Sequence, residues 1–548
     1  MRSPLPIRYW PLALALGGLL ACLWMTARHP AWGWAAGAFG VLAALGLADM
    51  LQTARTVVRN YPLLGHIRSL SESIGPNIRQ YFIESDMDER PFSREQRHAI
   101  YDRSLREPDV LPFGTLVNVY GNDYEWINHS LRPAQIASRD FRITVGPERA
   151  QPYSASVFNI SAMSFGSLSP NAIRALNEGA RRGRFYHDTG EGSISRYHRE
   201  HGGDIVWEIG SGYFGCRHAD GSFDERRFAE QARDPQVRMI EIKLSQGAKP
   251  GHGGMLPGAK VTAEIAEARG IPVGQDCISP AAHGAFSTPL GLLQFVARLR
   301  ELSGDKPVGF KLAIGHPWEW FGIAKAMRET GIVPDFIVVD GAEGGTGAAP
   351  LEFVNHMGAP LTEALLLVHN TLVGLDLRKR VRIGAAGKVS SAFDIARLLA
   401  MGADWCNAGR GFMFALGCIQ SLRCHTDHCP SGVATQDPRR WRSLDATRKA
   451  TRVYNFHQAT LEALRELLSA AGLTHPDQLG PEHVIRRVSS TQVRSLASLY
   501  PYLEPGELLH GVPDHQVFRR FWLAARADAF SVPTRSRAGH APAEMEPA

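Results

Sequence analysis

Cysteine is scarce in this chain. Seven thiols in 548 residues cannot build the dense disulfide framework of a small secreted domain, and they fit a reducing compartment. Charge of one sign is lacking too. The formal net charge is +6 and lysine and arginine form no block, so the electrostatic footprint of a nucleic-acid binder is missing. Charged residues make up 21% and hydrophobic residues 44%, the balance of a globular chain rather than a disordered one. No internal repeat is visible. At this length two to four domains, or one large barrel with attachments, are expected.

What is present starts with two apolar runs, Tyr9 to Thr26 and Ala31 to Ala48, neither holding a charge. Each is near the lower limit of about 17–20 residues for spanning a bilayer. The polar turn Ala27-Arg28-His29-Pro30 between them predicts a transmembrane helical hairpin. Arg2 and Arg8 before it, and Arg55 and Arg59 after it, outweigh Arg28 in the turn. Both flanks and the large C-terminal part are therefore expected in the cytoplasm. Trp10, Trp24, Trp32 and Trp34 lie near the run ends, as interfacial aromatics do. A cleaved signal, or a lipoprotein signal at Leu19-Leu20-Ala21-Cys22, competes with this reading, but the second run follows at once.

Residues 49–110 are polar, with Arg55, Arg59 and Arg68 ahead of Glu84, Asp86, Asp88 and Glu89, and read as a helical linker. From about Ser156, short β-branched and aromatic runs alternate with helical patterns, the signature of βα units. Candidate strands are Ser156–Ala162, Asp204–Glu208, Met239–Lys243, Ile271–Gln275, Val308–Ala313, Asp335–Asp340, Arg380–Gly384 and Asp404–Ala408. Ser169-Pro170 and Thr288-Pro289 each put a capping residue before a proline at the first helical position. The count predicts an α/β fold, a (β/α)8 TIM barrel. The expected division is a hairpin over 1–50, a linker over 51–110, the barrel over 111–440, a C-terminal helical extension over 441–530, including Ala446–Ala471, and a disordered tail over 531–548.

Cys418, Cys424 and Cys429 fall within twelve residues, and Pro430 follows the last. Close thiolates before a proline suit an iron–sulfur cluster, and three of them suit the 3Fe-4S type. A Cys3His zinc site through His425 or His428, and a set of buried free thiols, stay open on spacing alone. In a barrel the active site lies at the C-terminal strand ends. Here those ends lead into Met163-Ser164-Phe165-Gly166, Gln246 to Gly254, Gly309-Phe310-Lys311, Asp340 to Gly347, Gly384 to Lys388 and Gly409-Arg410-Gly411. Glycine lets the backbone approach a ligand, and free N–H groups at helix starts bind phosphate. The runs together predict a phosphorylated cofactor.

From about Ser156 to Asp437 the chain resembles the flavin-containing synthase domain of glutamate synthase. The matching blocks are Ala162 to Pro170, Thr189-Gly-Glu-Gly192, Gln246-Gly-Ala-Lys-Pro-Gly251, Leu256-Pro-Gly258, Glu343 to Ala348 and the cysteine run through Gln436. The hairpin and linker resemble those of a stand-alone, membrane-attached branch, the FMN-binding glutamate synthase family proteins. The resemblance implies an oxidoreductase with FMN at the barrel mouth and a 3Fe-4S cluster beside it, held by Cys418, Cys424 and Cys429. It implies reductive amination of 2-oxoglutarate, through 2-iminoglutarate, to glutamate. Lys249 would touch the substrate near the reacting carbon, Arg269 would clamp a carboxylate, and Glu191 would sit between flavin and cluster. Lys311 would lie by the N1/O2 edge of the flavin. Met163, Ser164 and Gly345 would line the cofactor, and Gly387, Lys388, Gly409 and Arg410 would hold its phosphate. His252 and His369 are as suited to structural as to catalytic work.

Two departures matter. Met255 stands where the family usually has glutamine, and Ala281 to Phe286 replaces a run richer in proline and histidine. They keep alive an N-methylglutamate synthase-like, amine-transferring enzyme. A redox-inert barrel with a zinc-stapled loop is the alternative from another class. No amidotransferase or second dinucleotide-binding domain is visible in the sequence. Ammonia or an amine, the keto acid, and electrons from an external donor such as a ferredoxin are then expected as partners.

Overall fold

The computed structural model describes residues 6–52, 56–87 and 90–531. Arg2, Arg55, Asp88, Glu89 and the tail beyond Ser531 lie outside the described residues. The chain divides into two compact units, Met1–Arg94 and Glu95–Ala548.

In the first unit, helices Trp10–Thr26 and Trp32–Leu51 run antiparallel. Small residues let them close: a Cβ on Gly46 would stand 2.7 Å from Leu12, and one on Gly18 2.7 Å from the Phe39 ring. Trp32–Leu51 is long and apolar enough to cross a membrane, whereas Trp10–Thr26, at 17 residues, is shorter. Buried Asp49 ends the hairpin. It accepts the Leu63 N–H at 3.0 Å and pairs with His66 at 2.8 Å, tying the hairpin to helix Leu64–Ile78.

The second unit is built on a closed barrel of eight parallel strands. In chain order they are β1 (Phe158–Ile160), β2 (His187–Asp188), β3 (Ile205–Ile209), β4 (Val237–Lys243), β5 (Val308–Leu312), β6 (Phe336–Asp340), β7 (Arg382–Ala386) and β8 (Trp405–Ala408). Seven of them fall on expected strands, with β7 two residues later than read. The eighth is a correction. Ile271–Gln275 is not a strand: it follows helix Ala263–Arg269, whose C-cap Gly270 is left-handed, and runs exposed through a turn. Pro272 can donate no ladder hydrogen bond there. The missing strand is β2, two residues long and polar, with no apolar run to announce it.

Side chains two apart on a strand share a face. The inner faces stack in layers, as in other barrels of this class. The lower part is apolar: Tyr186, Val206, Met239, Phe336, Val338 and Trp405 pack with Val145, Tyr153 and Ala155. The last three belong to the hairpin Arg142–Val145 with Tyr153–Ser156, which closes the barrel floor. Tyr186 donates to Asn407 at 2.6 Å and accepts from the Trp405 indole at 2.8 Å.

Outside, the cap expectations are met. Ser169 accepts from Ala172 N and Thr288 from Gly291 N, each ahead of a proline that starts a helix. The C-terminal helix Ala446–Ala470 lies on Pro170–Gly183, so close that a Cβ on Gly179 would stand 2.5 Å from Val453. The C-terminal region also contributes strands. Val484–Arg487 and Val493–Ser495 form a sheet with Glu125–Ile127, and the Glu125 carboxylate bridges Arg397 at 2.5 Å and Arg486 at 2.6 Å.

Gly309 in β5 tests the inner packing. A methyl there would stand 2.2 Å from Phe336 O and 2.6 Å from its ring. Gly309→Ala is expected to destabilise the barrel by about 1–3 kcal/mol, the usual cost of overpacking, read as a lower denaturant midpoint with an unchanged slope.

Candidate active site at the barrel mouth

The loops that follow β1, β2 and β4 interlock through glycine. Gly190 is left-handed, and a Cβ on it would stand 2.6 Å from Ser164 N. A Cβ on Gly254 would stand 2.5 Å from both Glu191 Oε1 and Ser279 Oγ. These contacts bring Met163 and Ser164, both half-buried, beside Glu191 and the Lys249 loop.

Glu191 is the centre of the mouth. Its carboxylate takes Lys243 Nζ at 2.9 Å. Burial pushes that carboxyl up, but Lys243 first, then Arg269 and Lys249, hold it down to about 2. The three residues expected to be catalytic, Glu191, Lys249 and Arg269, thus lie within one electrostatic neighbourhood. Lys243 joins them and was not singled out from sequence; its signal was a second charge two residues after Glu241, on the same face of β4. Lys249 is buried, donates to Gly253 O at 2.9 Å, and has its pKa lowered by that burial. Arg269 is buried against the Phe214 ring and donates to Phe165 O at 3.0 Å and Cys277 Sγ at 3.4 Å, while its Nε has no partner. A cleft of about 20 Å³ here is lined by Glu191, Lys243, Gln246, Lys249, Gly253 and Gly254. A larger cavity of about 340 Å³, lined by Arg196, Arg217 and Glu264 among others, lies to one side. The smaller one holds the buried charges.

Lys311 sits below, inside the barrel. Its ammonium is tied to Glu208 and lies 3.3 Å from Glu241. Ligand oxygens of Asp188, Glu208 and Glu241 lie within 4.8 Å of one another, all buried. Asp340, at the mouth end of β6, accepts Gly247 N at 2.8 Å. Sequence reading missed the acids of this set. The signal was a carboxylate in the middle of each of two apolar strands, and register sets Glu208 beside Glu241.

The expected phosphate-binding positions follow β7 and β8, and Gly345, expected to line the cofactor, follows β6. Arg410 is half-buried, donates to Glu343 O, and stands 3.2 Å from where a Cβ of Gly345 would be. Gly387 backs on Leu361, Lys388 is exposed and left-handed, and a Cβ on Gly409 would meet Met163 only at 3.6 Å. A Cβ at Gly409 would make only ordinary contacts, with Met163 and Ser161, so no clash crowds the backbone there. His252 is exposed and packs on Phe353. His369 is in helix Leu361–Gly374, and burial takes its pKa down to about 4.

The cysteine run lies beside these loops. Gln436 donates to Gly166 O at 3.1 Å and Leu168 O at 2.9 Å, and a Cβ on Gly347 would stand 3.1 Å from Cys424. Gln420, Leu422 and Asp427 are left-handed non-glycines, a strained backbone that neighbours must hold. They do: Tyr101 donates to Cys418 O at 2.6 Å, Lys260 to Cys424 O at 3.0 Å, and Gln436 N to Asp427 at 2.7 Å. Burial pushes the Cys418 thiol up to about 12 and Cys424 up as well. Burial also raises Cys429, but Ser431 and the backbone N–H groups of residues 431–434 outweigh it and favour its thiolate. Among the described residues, the three-ligand group gathered within 4.8 Å is the acidic set above. The cysteine sulfurs are spread wider. One zinc with bonds of about 2.3 Å would hold such sulfurs closer together.

The conserved region in glutamate synthase matches residues 132–474. The glutamate synthase large subunit-like protein YerD of Bacillus subtilis is 35% identical over 501 residues, covering 84% of this chain and 95% of that protein. An archaeal-type glutamate synthase [NADPH] of Thermotoga neapolitana is 36% identical over 330 residues, covering 60% and 62%. The archaeal glutamate synthase [NADPH] of Methanocaldococcus jannaschii is 37% identical over 321 residues, covering 58% and 60%. The chain thus spans under two thirds of the length of these last two relatives. It belongs to the glutamate synthase family of oxidoreductase enzymes.

Proposed function

We propose that the chain forms glutamate or a close analogue by reductive amination of a dicarboxylic 2-keto acid, with 2-oxoglutarate the first candidate. The observation that carries this is the mouth itself: one carboxylate, Glu191, faces Lys243, Lys249 and Arg269. The surplus positive charge, in a glycine-lined cleft, suits an anionic substrate. Met163, Ser164, Gly345, Gly387, Lys388, Gly409 and Arg410 would hold FMN at the mouth, with Lys311 below it. Bound there, it supplies hydride to an imine carbon. Lys249 orients the keto acid at its reacting carbon, and Arg269 and Lys243 hold the carboxylates. Ammonia or a small amine is the nitrogen source. Cys418, Cys424 and Cys429 would hold a 3Fe-4S cluster, which would supply one-electron transfer from an external carrier. The hairpin fixes the enzyme to a membrane, with the barrel on the cytoplasmic side.

Exposed Met255 lies next to this cleft and offers no polar group to a substrate. That favours testing methylamine alongside ammonia. Arg269→Ala is expected to weaken keto-acid use about 30- to 1000-fold, roughly 2–4 kcal/mol for a desolvated charge contact, with FMN content unchanged. Lys249→Ala should instead depress turnover. Wild-type protein with FMN bound, but no rate on 2-oxoglutarate with either amine, would sink the glutamate-forming reading.

Iron and acid-labile sulfide should accompany anaerobically purified protein, and Cys424→Ser should lose both while keeping flavin. Zinc without sulfide is the opposing result. Deleting residues 1–50 should release the protein from membranes, and a C-terminal reporter should read cytoplasmic. Retention on membranes after the deletion would reject the tether.

A further inference from the structure

The interior of the barrel carries a group that reductive amination, as derived above, leaves unused. Asp188 from β2, Glu208 from β3 and Glu241 from β4 have oxygens within 4.8 Å of one another. Lys311 from β5 lies among them, bound to Glu208 and 3.3 Å from Glu241. Asp340 on β6 faces the same ammonium from the mouth side, with Lys243 above it. Tyr186 lies below, while β7 and β8 present Ala386 and Asn407. Four carboxylates therefore face Lys311 and the more distant Lys243. Carboxylates this close in a dry interior cannot all ionise. With three of these carboxylates within 4.8 Å of one another around one buried ammonium, the set holds at least one proton.

The surroundings give this proton one way out. Below, the apolar layer of Val206, Met239, Phe336, Val338 and Trp405 and the floor hairpin seal the barrel. Above, Lys311 leads to Asp340, whose carboxylate holds Gly247 N at 2.8 Å. Gly247 is two residues from Lys249, in the loop of the proposed substrate cleft.

We propose that Asp188, Glu208 and Glu241, closed around Lys311, hold one proton at rest and form a proton store that takes up a second when the site is reduced and returns it to the mouth when the imine is reduced. The proposal rests on the flavin reading above. Two electrons from a one-electron carrier and one proton produce the hydride donor; a second proton enters the store and offsets the added negative charge beside Lys311. On turnover the hydride goes to the imine carbon and the stored proton goes to its nitrogen. Electrons and protons then balance at two each. The carboxyls are poised for this exchange: burial, then Glu208, push Asp188 up to about 7, and burial with Asp188 raises Glu241 well above the carboxylate range. Such groups titrate as a unit, so these residues position and buffer charge rather than touch substrate.

The experiment is proton uptake on photochemical reduction of the full-length, FMN-loaded protein in weak buffer near pH 7, followed with an indicator dye. About two protons per FMN are expected for wild type and about one for Glu241→Gln or Asp188→Asn. Equal uptake in wild type and both variants overturns the store. A parallel arm needs no flavin: the infrared C=O stretch of a protonated carboxyl should be present in the FMN-free chain at neutral pH and weaken in Glu241→Gln. A missing band overturns the store. Failure to bind FMN with the band intact strikes the flavin reading instead.

Discussion

Lys311 allows acids to line the inside of this barrel. Comparable interiors are filled by layers of branched apolar side chains, and an unpaired buried charge is expensive. Here one ammonium, tied to Glu208 and near Glu241, compensates a middle layer of carboxylates. The rest of the architecture follows from keeping that layer dry. Tyr186, Trp405 and Phe336 pack beneath it, the Tyr153 hairpin closes the floor, and the mouth above carries the opposite sign of charge.

The mouth depends on backbone contacts as much as on charge. Gly247 cannot be replaced without moving the loops after β4 and β6, since a Cβ there would stand 1.8 Å from Gly341 O. Gly254 is pressed between Glu191 and Ser279 in the same way. Glycine therefore does two things in this chain. Some positions leave the backbone uncrowded, as Gly409 does, while others let two loops share the space a side chain would take.

Much of the architecture was legible because its signals are local. Ser169-Pro170 and Thr288-Pro289 read as helix starts, and apolar runs such as Phe336–Asp340 read as strands. His187–Asp188 was invisible because two polar residues make no pattern until neighbouring strands claim their hydrogen bonds. Ile271–Gln275 was misread because β-branched residues around a proline imitate a strand. For the site, the motifs marked Lys249, Glu191, Arg269 and the cysteines; Glu191 and Lys249 line one cleft, and Arg269 acts on Glu191 through its charge. Glu208, Glu241 and Lys243 were passed over because a charge on a strand ordinarily faces water. Only closure of the barrel turns them inward.

The left-handed positions Gln420, Leu422 and Asp427 bear on how the protein matures. Their shape is enforced by Tyr101, Lys260 and Gln436, groups that belong to the folded chain rather than to any inorganic core. On the proposed cluster reading, the cysteine loop takes its shape from the folded chain rather than from the iron. Its rim is open to solvent at Leu422, which is 66% exposed, so an assembly factor could deliver iron and sulfide to an already folded protein. Damage by oxidants would, on the same grounds, be repairable in place, without unfolding the barrel.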